Sequence, residues 1–410
     1  MRILIATSHR NIVGGVEKYL QTVIPALCSR GHQVAIVCEY HFNPALESID
    51  SPGLGLTAWS TAELLPERAL RSIAEWRPDV VYSQGLETTV VQAALLNAYP
   101  TVLYAHYYVG TCATGQKCHW FPVPRPCSRQ FGTACLVLHY PRRCGGLNPM
   151  TMVRMFRRCC DMNALLPRYK AVLVASTHMA REFQRHGVTQ QRIRLLPLPL
   201  QQEAQAEAPE HPFSPSRILF LGRLNKLKGV RHLLEAVPIA DRRLGRPLSL
   251  TIAGDGPELA SLASLAKEGG RPVEFMGWVN NAKRAELIRK SDLLAVPSVW
   301  PEPFGLVGIE AGAYGIPAVA YDVGGIPDWL IPGYSGELAP SNPPTPDGLA
   351  RAIFRAISDP VHYAHLRQGA RSVAQRFRAE EHLSKLEQIL AEVQQEGIPA
   401  CSSGSEHVHI

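Results

Sequence analysis

One stretch of the chain, DLLAVPSVWPEPFGLVGIEAGAYGIPAVAYDVGGIPDWL (Asp292 to Leu330), carries the pattern that decides the fold. Its apolar run from Leu293 to Val296 has the length of a buried strand in a parallel sheet. A proline-rich loop, a helix-like segment ending near Gly315 and a second apolar run from Ala318 to Tyr321 follow. This order predicts a strand–loop–helix–strand unit, in which the helix N-terminus directs backbone N–H groups at an anion above the sheet edge.

Two carboxylates belong to this unit. Glu302 precedes the helix, Glu310 lies inside it, and seven residues separate them. One carboxylate can face a polyol in the cleft while the other reaches a second set of hydroxyls. An ordinary α/β crossover with two solvated glutamates would show the same spacing, so the pair alone does not decide the function.

The segment Glu302-Pro-Phe-Gly-Leu-Val-Gly-Ile-Glu310 resembles the Glu-x7-Glu motif of retaining GT-B glycosyltransferases, the group 1 or family 4 type. The resemblance implies that Glu302 contacts the donor sugar and Glu310 the nucleotide ribose. It also assigns the residues between them to the donor site: Phe304, Gly305, Leu306 and Val307.

Two features of the N-terminal half fit the same resemblance. Gly14 and Gly15 open a helix, and without Cβ atoms they let the backbone approach a phosphate or sugar closely. The segment GGVEKYL resembles the family's Gly-Gly-x-Glu, which lies across the cleft from the Glu-x7-Glu loop. His106 follows a strand from Val102 to Ala105, at the strand end where open α/β sheets bind ligands. The resemblance implies that His106 touches the donor sugar.

A second strand-and-loop unit begins at residue 218. Its segment GRLNKLKG contains Arg223 and Lys228, and the chain contains no Asp-x-Asp, the carboxylate pair that usually clamps a metal diphosphate. Side-chain cations and helix dipoles must then neutralise a donor diphosphate. The resemblance implies that Arg223 and Lys228 hold it. We also expect Gly254, in a tight turn after the next strand, in the donor site, and the resemblance implies that the backbone around Val279 borders the nucleobase.

A cysteine-rich segment interrupts this pattern. Five of the ten cysteines fall within residues 112–144, which show little periodicity. In a cytoplasmic protein such clusters bind metal more often than they form disulfides. Four of them resemble a cysteine-bearing insert of part of the family and predict a structural Zn²⁺: Cys112, Cys127, Cys135 and Cys144. The spacings lack a tight Cys-x2-Cys, so disulfides remain an alternative.

The charge of the protein is concentrated behind this insert. Of the net charge of +7, residues 125–170 contribute nine basic side chains against one acid. Within them, Met150 to Leu165 predicts a basic amphipathic helix, with Met152, Met155 and Phe156 on one face. The helix suits an anionic membrane surface or acceptor, or it packs into the core with its basic face solvated.

The whole chain predicts an α/β protein of GT-B architecture, with two Rossmann-like domains whose parallel sheets face a central cleft. Its 410 residues are enough for two cores. The expected divisions are an acceptor-side domain (residues 1–200, with the insert 112–144 and the basic helix 150–165), a linker (201–216), a nucleotide-sugar-binding domain (217–378), a helix crossing back (379–397) and a tail (398–410).

We therefore expect a retaining hexosyltransferase of polysaccharide biosynthesis that uses a nucleotide-diphosphate sugar and no catalytic metal. The acceptor is a glycan, a lipid-linked or a small molecule, with possible contact to an anionic membrane and no nucleic-acid partner. No apolar run reaches the roughly 20 residues of a membrane span and no signal peptide is visible, which favours the cytoplasm or the inner membrane face. The alternatives are a nucleotide-sugar epimerase of the same fold and a non-catalytic nucleotide-sugar or membrane-binding protein.

Overall fold

The first of two α/β domains contains a parallel sheet of seven strands in the order β3-β2-β1-β4-β5-β8-β9. The structure of the protein is a computed structural model, which describes residues 1–50, 53–200, 215–270 and 272–397. The seven strands of this sheet are β1 (Arg2–Thr7), β2 (Gln33–Cys38), β3 (Thr57–Ser60), β4 (Val80–Ser83), β5 (Thr101–Ala105), β8 (Ala171–Val174) and β9 (Ile193–Leu195). Two further strands, β6 (Cys118–His119) and β7 (Arg125–Pro126), form a separate antiparallel pair. The helices of the first domain are α1 (Gly15–Ser29), α2 (Pro66–Trp76), α3 (Thr89–Ala98), α4 (Ala134–Leu138), α5 (Pro149–Leu165) and α6 (Thr177–Arg185).

The second domain contains a parallel sheet of six strands in the order β12-β11-β10-β13-β14-β15. Its strands are β10 (Arg217–Leu221), β11 (Ser249–Ala253), β12 (Val273–Gly277), β13 (Leu293–Val296), β14 (Ala318–Tyr321) and β15 (Gly336–Ala339). The helices are α7 (Val230–Leu244), α8 (Leu259–Glu268), α9 (Asn281–Arg289), α10 (Leu306–Ala313), α11 (Pro346–Ile357), α12 (Pro360–Ala374) and α13 (Ala379–Gly397). Of the predicted linker, residues 201–214 lie outside the described part of the chain, as does the predicted tail, residues 398–410.

Both sheets have the doubly wound strand order, which confirms the predicted fold class. The central strands β1, β4, β10 and β13 are almost entirely buried, as expected for sheets covered by helices on both faces. The order reverses between β1 and β4 in one sheet and between β10 and β13 in the other. Ligands of such sheets bind at these switch points, beyond the carboxyl ends of the strands.

Helix α13 packs against the first domain although it follows the second in sequence. Leu383, Leu386 and Leu390 join the core beneath the first sheet. His382 Nε2 accepts a hydrogen bond from Tyr19 Oη at 2.8 Å, and its Nδ1 donates to the carbonyl of Pro197 at 2.8 Å. These bonds connect the end of the chain to helix α1 and to the segment through which the chain leaves the first domain.

The cysteine-rich insert is anchored to helix α6. Lys117 of the insert, with 2% of its surface exposed, forms a buried ion pair with Glu182. The amide of Phe131 donates to His186 Nε2 at 2.9 Å. Moving either partner away would leave an uncompensated buried charge, which is strongly unfavourable. The pair therefore holds the insert and α6 in one arrangement. The insert is therefore a fixed part of the first domain.

Helix α5 turns its apolar side inward. Cys159, Met162 and Leu165 are buried, and Phe156 packs against Phe131 of the insert with the ring centroids 5.0 Å apart. Of the predicted apolar face, Phe156 packs against the insert, while Met152 and Met155 are half-buried. The helix is thus packed on protein along part of that face. None of the helices in the described ranges meets the length and hydropathy of a membrane span.

Candidate active site

The cleft between the two sheets holds two adjoining cavities with common walls. The larger, of about 550 Å³, lies mainly against the second domain; the other, of about 400 Å³, lies between the domains. We call them the outer and the inner cavity. Lys18 of the first domain and Arg284 of the second line both of them, so the two domains together form a single cleft.

The loop after β13 places Glu302 in the inner cavity. Ser298 Oγ donates to Glu302 Oε1 at 2.5 Å, and Lys228 Nζ donates to the same oxygen at 2.6 Å. Glu302 is buried, so these charge-assisted bonds hold its carboxylate in one orientation. The loop that carries Lys228 reaches Glu302 because Gly229, at φ +64°, lets it pass against the carbonyl of Pro297, where a Cβ would lie 2.0 Å away.

Helix α10 begins beside Glu302. Gly305 is its N-cap, at φ +89°, a left-handed conformation that glycine adopts without strain. Gly305, Leu306 and Val307 line the inner cavity, so the free N–H groups of the first turn are near the Glu302–Lys228 pair. Together these groups form a region suited to a phosphate or a leaving diphosphate.

Glu310 lies in α10 and pairs with Arg284 of α9. Burial raises the pKa of Glu310, while Arg284 and Lys18 act in the opposite direction. The carboxylate can accept hydrogen bonds from two hydroxyls beside its partner. A ribose offers this arrangement of donors.

His106 reaches the inner cavity from the end of β5. Its Nε2 donates to the side-chain oxygen of Gln84 at 2.8 Å, and Tyr19 and Tyr104 pack against the ring. Burial, and then the charge of His382, lower the pKa of His106 to about 3. The imidazole is therefore neutral at physiological pH and acts as a polar contact, not as an acid.

The structure divides the sequence-predicted residues between the two cavities. The inner cavity is lined by Gly15, His106, Lys228, Glu302, Phe304, Gly305, Leu306, Val307 and Glu310. The outer cavity is lined by Arg223, Gly254, Val279 and again Val307. Gly14 lies next to the inner cavity as the N-cap of α1. Arg223 and Lys228, predicted together at the diphosphate, thus stand in different parts of the cleft.

Several lining residues were missed by the sequence analysis. Ser298 and Trp300 share the loop of Glu302, and Lys18 lies one helical turn after Gly14. All three could have been inferred from their closeness in sequence to a predicted site residue. Asp255 directly follows the predicted Gly254, whereas no sequence signal pointed to Arg284. Across both cavities, the described lining residues comprise four cations and three carboxylates, a net charge of +1 that favours an anionic ligand.

The four cysteines of the predicted zinc site are free thiols. Among the described residues, no three His, Cys, Asp or Glu side chains are grouped to hold a metal ion. Burial, and then the neighbouring thiols Cys127, Cys112 and Cys135, raise the pKa of Cys144 to about 11, and burial also raises the pKa of Cys127. The structure therefore gives the zinc prediction no support, and within the described ranges the cysteines form no disulfide.

Comparison with known families assigns both halves of the chain. The profile of the group 1 glycosyl transferases matches residues 201–373, and that of glycosyltransferase family 4 matches residues 13–201. Together they cover most of the chain.

Curated relatives match over part of their length. Glycogen synthase of Mycobacterium tuberculosis is 34% identical over 166 residues, 40% of this chain and 38% of the relative. D-inositol 3-phosphate glycosyltransferase of Corynebacterium jeikeium is 38% identical over 153 residues, 35% of this chain and 36% of the relative. The matched stretch thus spans little more than a third of each relative.

Solved structures match over nearly the whole chain. HepE of Anabaena, crystallised with UDP and glucose, superposes with a TM-score of 0.67 at 19% identity, over 96% of this chain and 100% of that one. Sucrose-phosphate synthase of Thermosynechococcus elongatus gives 0.68 at 20% identity, over 97% and 100%. At this identity the superpositions establish the fold alone.

Proposed function

The chain belongs to the group 1 glycosyltransferases of the GT-B fold, and from this premise we propose that it transfers a hexose-type sugar from a nucleoside diphosphate to an acceptor hydroxyl with retention of configuration. The observation that carries the proposal is the meeting of Glu302, Lys228, the α10 N-terminus and Glu310 in one cavity. A donor of this kind presents sugar hydroxyls, a diphosphate and ribose hydroxyls, and these groups are of the kinds that bind them.

The donor is held in the following way. Glu310 accepts from the ribose hydroxyls, Lys228 and the first turn of α10 bind the diphosphate, and Glu302 accepts from sugar hydroxyls. The base occupies the outer cavity, where the ring of Trp278 is 73% exposed beside Val279 and Gly254. Arg223, at the rim of this cavity, supplies a further cation for the phosphates.

The transfer breaks the bond between the anomeric carbon and the diphosphate oxygen and forms the bond to the acceptor oxygen. Negative charge develops on the leaving diphosphate, where Lys228 and the helix N-terminus stabilise it. Glu302 is held by Lys228 and Ser298, which suits an orienting role better than that of a nucleophile. We therefore propose a front-face mechanism, in which the acceptor's proton passes to the leaving phosphate oxygen.

We propose that no metal takes part in this step. The sequence contains no Asp-x-Asp, and Lys228, Arg223 and Arg284 provide the positive charge along the cleft. The donor sugar nucleotide is then the one small molecule that the reaction needs besides the acceptor.

A peripheral contact with anionic lipid at the cytoplasmic membrane face is a further part of the proposal. It rests on exposed apolar side chains of the insert and the start of α5, among arginines: Phe121, Val137, Leu147, Met150 and Val153. Apolar side chains that enter the headgroup region together with basic ones bind anionic membranes. Co-sedimentation with phosphatidylglycerol vesicles tests the contact, and equal recovery with phosphatidylcholine vesicles would contradict it.

Release of nucleoside diphosphate across a panel of nucleotide sugars tests the main proposal. UDP-glucose is the first donor to try, because HepE was crystallised with UDP and glucose. Slow hydrolysis without acceptor, accelerated by acceptor, supports transfer, and NMR of the product reads its anomeric configuration. Epimerisation of the sugar nucleotide would support the epimerase alternative, and tight binding without turnover would support a non-catalytic role.

A further inference from the structure

A third cavity of about 360 Å³ lies beside the inner cavity and belongs to no part of the donor site. Its walls are the segment 107–116, helix α5 and two side chains of the second domain, Leu227 and Trp300. Tyr107 and Trp300 also line the inner cavity, so the two spaces have a common wall. We call this space the insert pocket. A molecule that fills it has one end next to the donor sugar.

The lining of the insert pocket is apolar and rich in sulfur. Val109, Met155, Cys159 and Met162 face it together with the indole of Trp300. Methionine side chains adapt to irregular apolar shapes, and burying apolar surface among them is favourable. The pocket volume is near the lower end of the range found for small-molecule sites. It is suited to a ring or a short alkyl chain.

The polar groups of the insert pocket include one cation and one buried indole N–H. Of the described residues that line it, Arg158 is the one with a permanent charge, and its guanidinium lies 3.9 Å from the carboxylate of Glu87. The Nε1 donor of Trp300 is buried and has no hydrogen-bond partner within the described residues. The lining therefore presents one charged side chain among mainly uncharged ones.

The walls of the insert pocket are fixed to the catalytic loop. Tyr108 Oη donates to the carbonyl of Pro301 at 2.7 Å, next to Glu302 in sequence. Asn163 Nδ2 of α5 donates to the carbonyl of Gly110 at 2.8 Å. The pocket is therefore preformed, and its position relative to Glu302 is set by direct bonds.

We propose that the insert pocket binds an apolar group of the acceptor and thereby places the adjacent hydroxyl at the donor sugar. The inference rests on the proposed glycosyl transfer and specifies its acceptor as a molecule with an apolar moiety next to the accepting hydroxyl. An aromatic aglycone and a lipid chain share this chemistry.

The test is to measure the equilibrium affinity of glycosides for the protein loaded with nucleoside diphosphate. The glycosides carry a phenyl, an n-hexyl or a methyl group on glucose, galactose, mannose or N-acetylglucosamine. We expect the phenyl or hexyl compounds to bind at least tenfold more tightly than the methyl compound of the same sugar. A preference for phenyl indicates an aromatic group, a preference for hexyl a lipid chain, and either supports the pocket. Equal affinity for all three would overturn the proposal.

The variant Met155→Trp fills the pocket and should abolish the preference while leaving nucleotide binding and donor hydrolysis unchanged. Met150→Trp makes the same substitution on the same helix at a side chain that is 82% exposed, and should keep the preference. Ala113→Leu narrows the pocket from the opposite wall and replaces Met155→Trp if that variant does not fold. A preference that survives filling would also overturn the proposal. Absence of both donor hydrolysis and acceptor-dependent release of nucleoside diphosphate in the wild-type protein contradicts the proposed function instead.

Discussion

The inner cavity and the insert pocket share a wall but differ in chemistry. In the inner cavity, Glu302 is held by Lys228 and Ser298, and Glu310 by Arg284. In the insert pocket, the surface consists mainly of methionine, cysteine, valine and aromatic side chains. Ion pairs and hydrogen bonds fix the direction of a ligand, whereas an apolar surface selects its size and shape. In the proposed reaction, the donor is thus recognised by its charges and hydroxyls, and the acceptor by its apolar body.

Removing a charge from the donor side should have the largest effect. In Lys228→Ala, the leaving diphosphate loses one of its proposed cations and Glu302 loses its ion-pair partner. We therefore expect turnover to fall roughly 10²–10³-fold, as for the loss of one transition-state donor. The Michaelis constant for the donor should change much less, since the charge peaks in the transition state. Lys226→Ala, in the same turn but exposed, is the matched control. Turnover of Lys228→Ala within threefold of wild type would contradict the assignment.

Glu310→Ala should have the next largest effect, on nucleotide affinity. The variant loses charge-assisted hydrogen bonds of about 1.5–3 kcal/mol, which corresponds to roughly ten- to a hundredfold weaker binding of free nucleoside diphosphate by calorimetry. Glu286→Ala removes an ion-paired glutamate from α9, the helix of Arg284, and should bind like wild type. Unchanged affinity in Glu310→Ala would place the ribose elsewhere.

The stability of the protein should depend on pH through two buried imidazoles. Burial lowers the pKa of His106 to about 3 and that of His382 to about 4, whereas in the unfolded chain both bind protons below about 6.5. The free energy of unfolding, which is constant with respect to these groups above pH 6.5, therefore falls on acidification by up to about 1.4 kcal/mol per pH unit for each imidazole. In His382→Gln the slope between pH 4 and 6.5 should be shallower in thermal unfolding. His41→Gln, at an exposed position, should leave the slope unchanged, and an unaltered slope in His382→Gln would contradict the prediction.

The smallest expected effect is that of a chelator. EDTA should leave wild-type turnover within twofold over minutes, because side-chain cations and the helix N-terminus carry the charge of the diphosphate. A rapid loss of activity that magnesium or manganese restores would show that the donor side is organised by a metal. Comparison of donor hydrolysis with transfer in the same sample separates an effect on the inner cavity from one on the insert pocket.

The sequence allowed the central elements and much of the cleft to be predicted. Strands β10, β13 and β14 are short apolar runs followed by glycine or proline loops, so both their location and the ligand-facing end could be inferred. Strand β3, with the sequence TAWS, and the edge strand β9 were missed because they contain no such run. At a sheet edge, pairing with the neighbouring strand holds a segment extended even when its own sequence does not favour a strand.

Other features depended on distant contacts. The periodicity of α5 showed an apolar face, but the sequence could not show that Cys159, Met162 and Leu165 of this helix are buried in the first domain. Arg284 lies in the middle of α9, without a motif, and becomes a site residue because α10 brings Glu310 beside it. Similarly, the spacing of the cysteines gave no information on whether the folded insert brings their sulfur atoms together.

The position of α13 has a consequence for how the protein matures on the ribosome. Tyr19 and His382, which share a buried hydrogen bond, are 363 residues apart in the chain. At translation rates of about 5–20 residues per second, Tyr19 is added to the nascent chain roughly 20 to 70 s before His382. During this interval the apolar surface that Leu386 and Leu390 will cover is exposed on the nascent first domain. The first domain is the earliest part to be synthesised and the last to complete its core, so a nascent-chain chaperone would find its binding surface there.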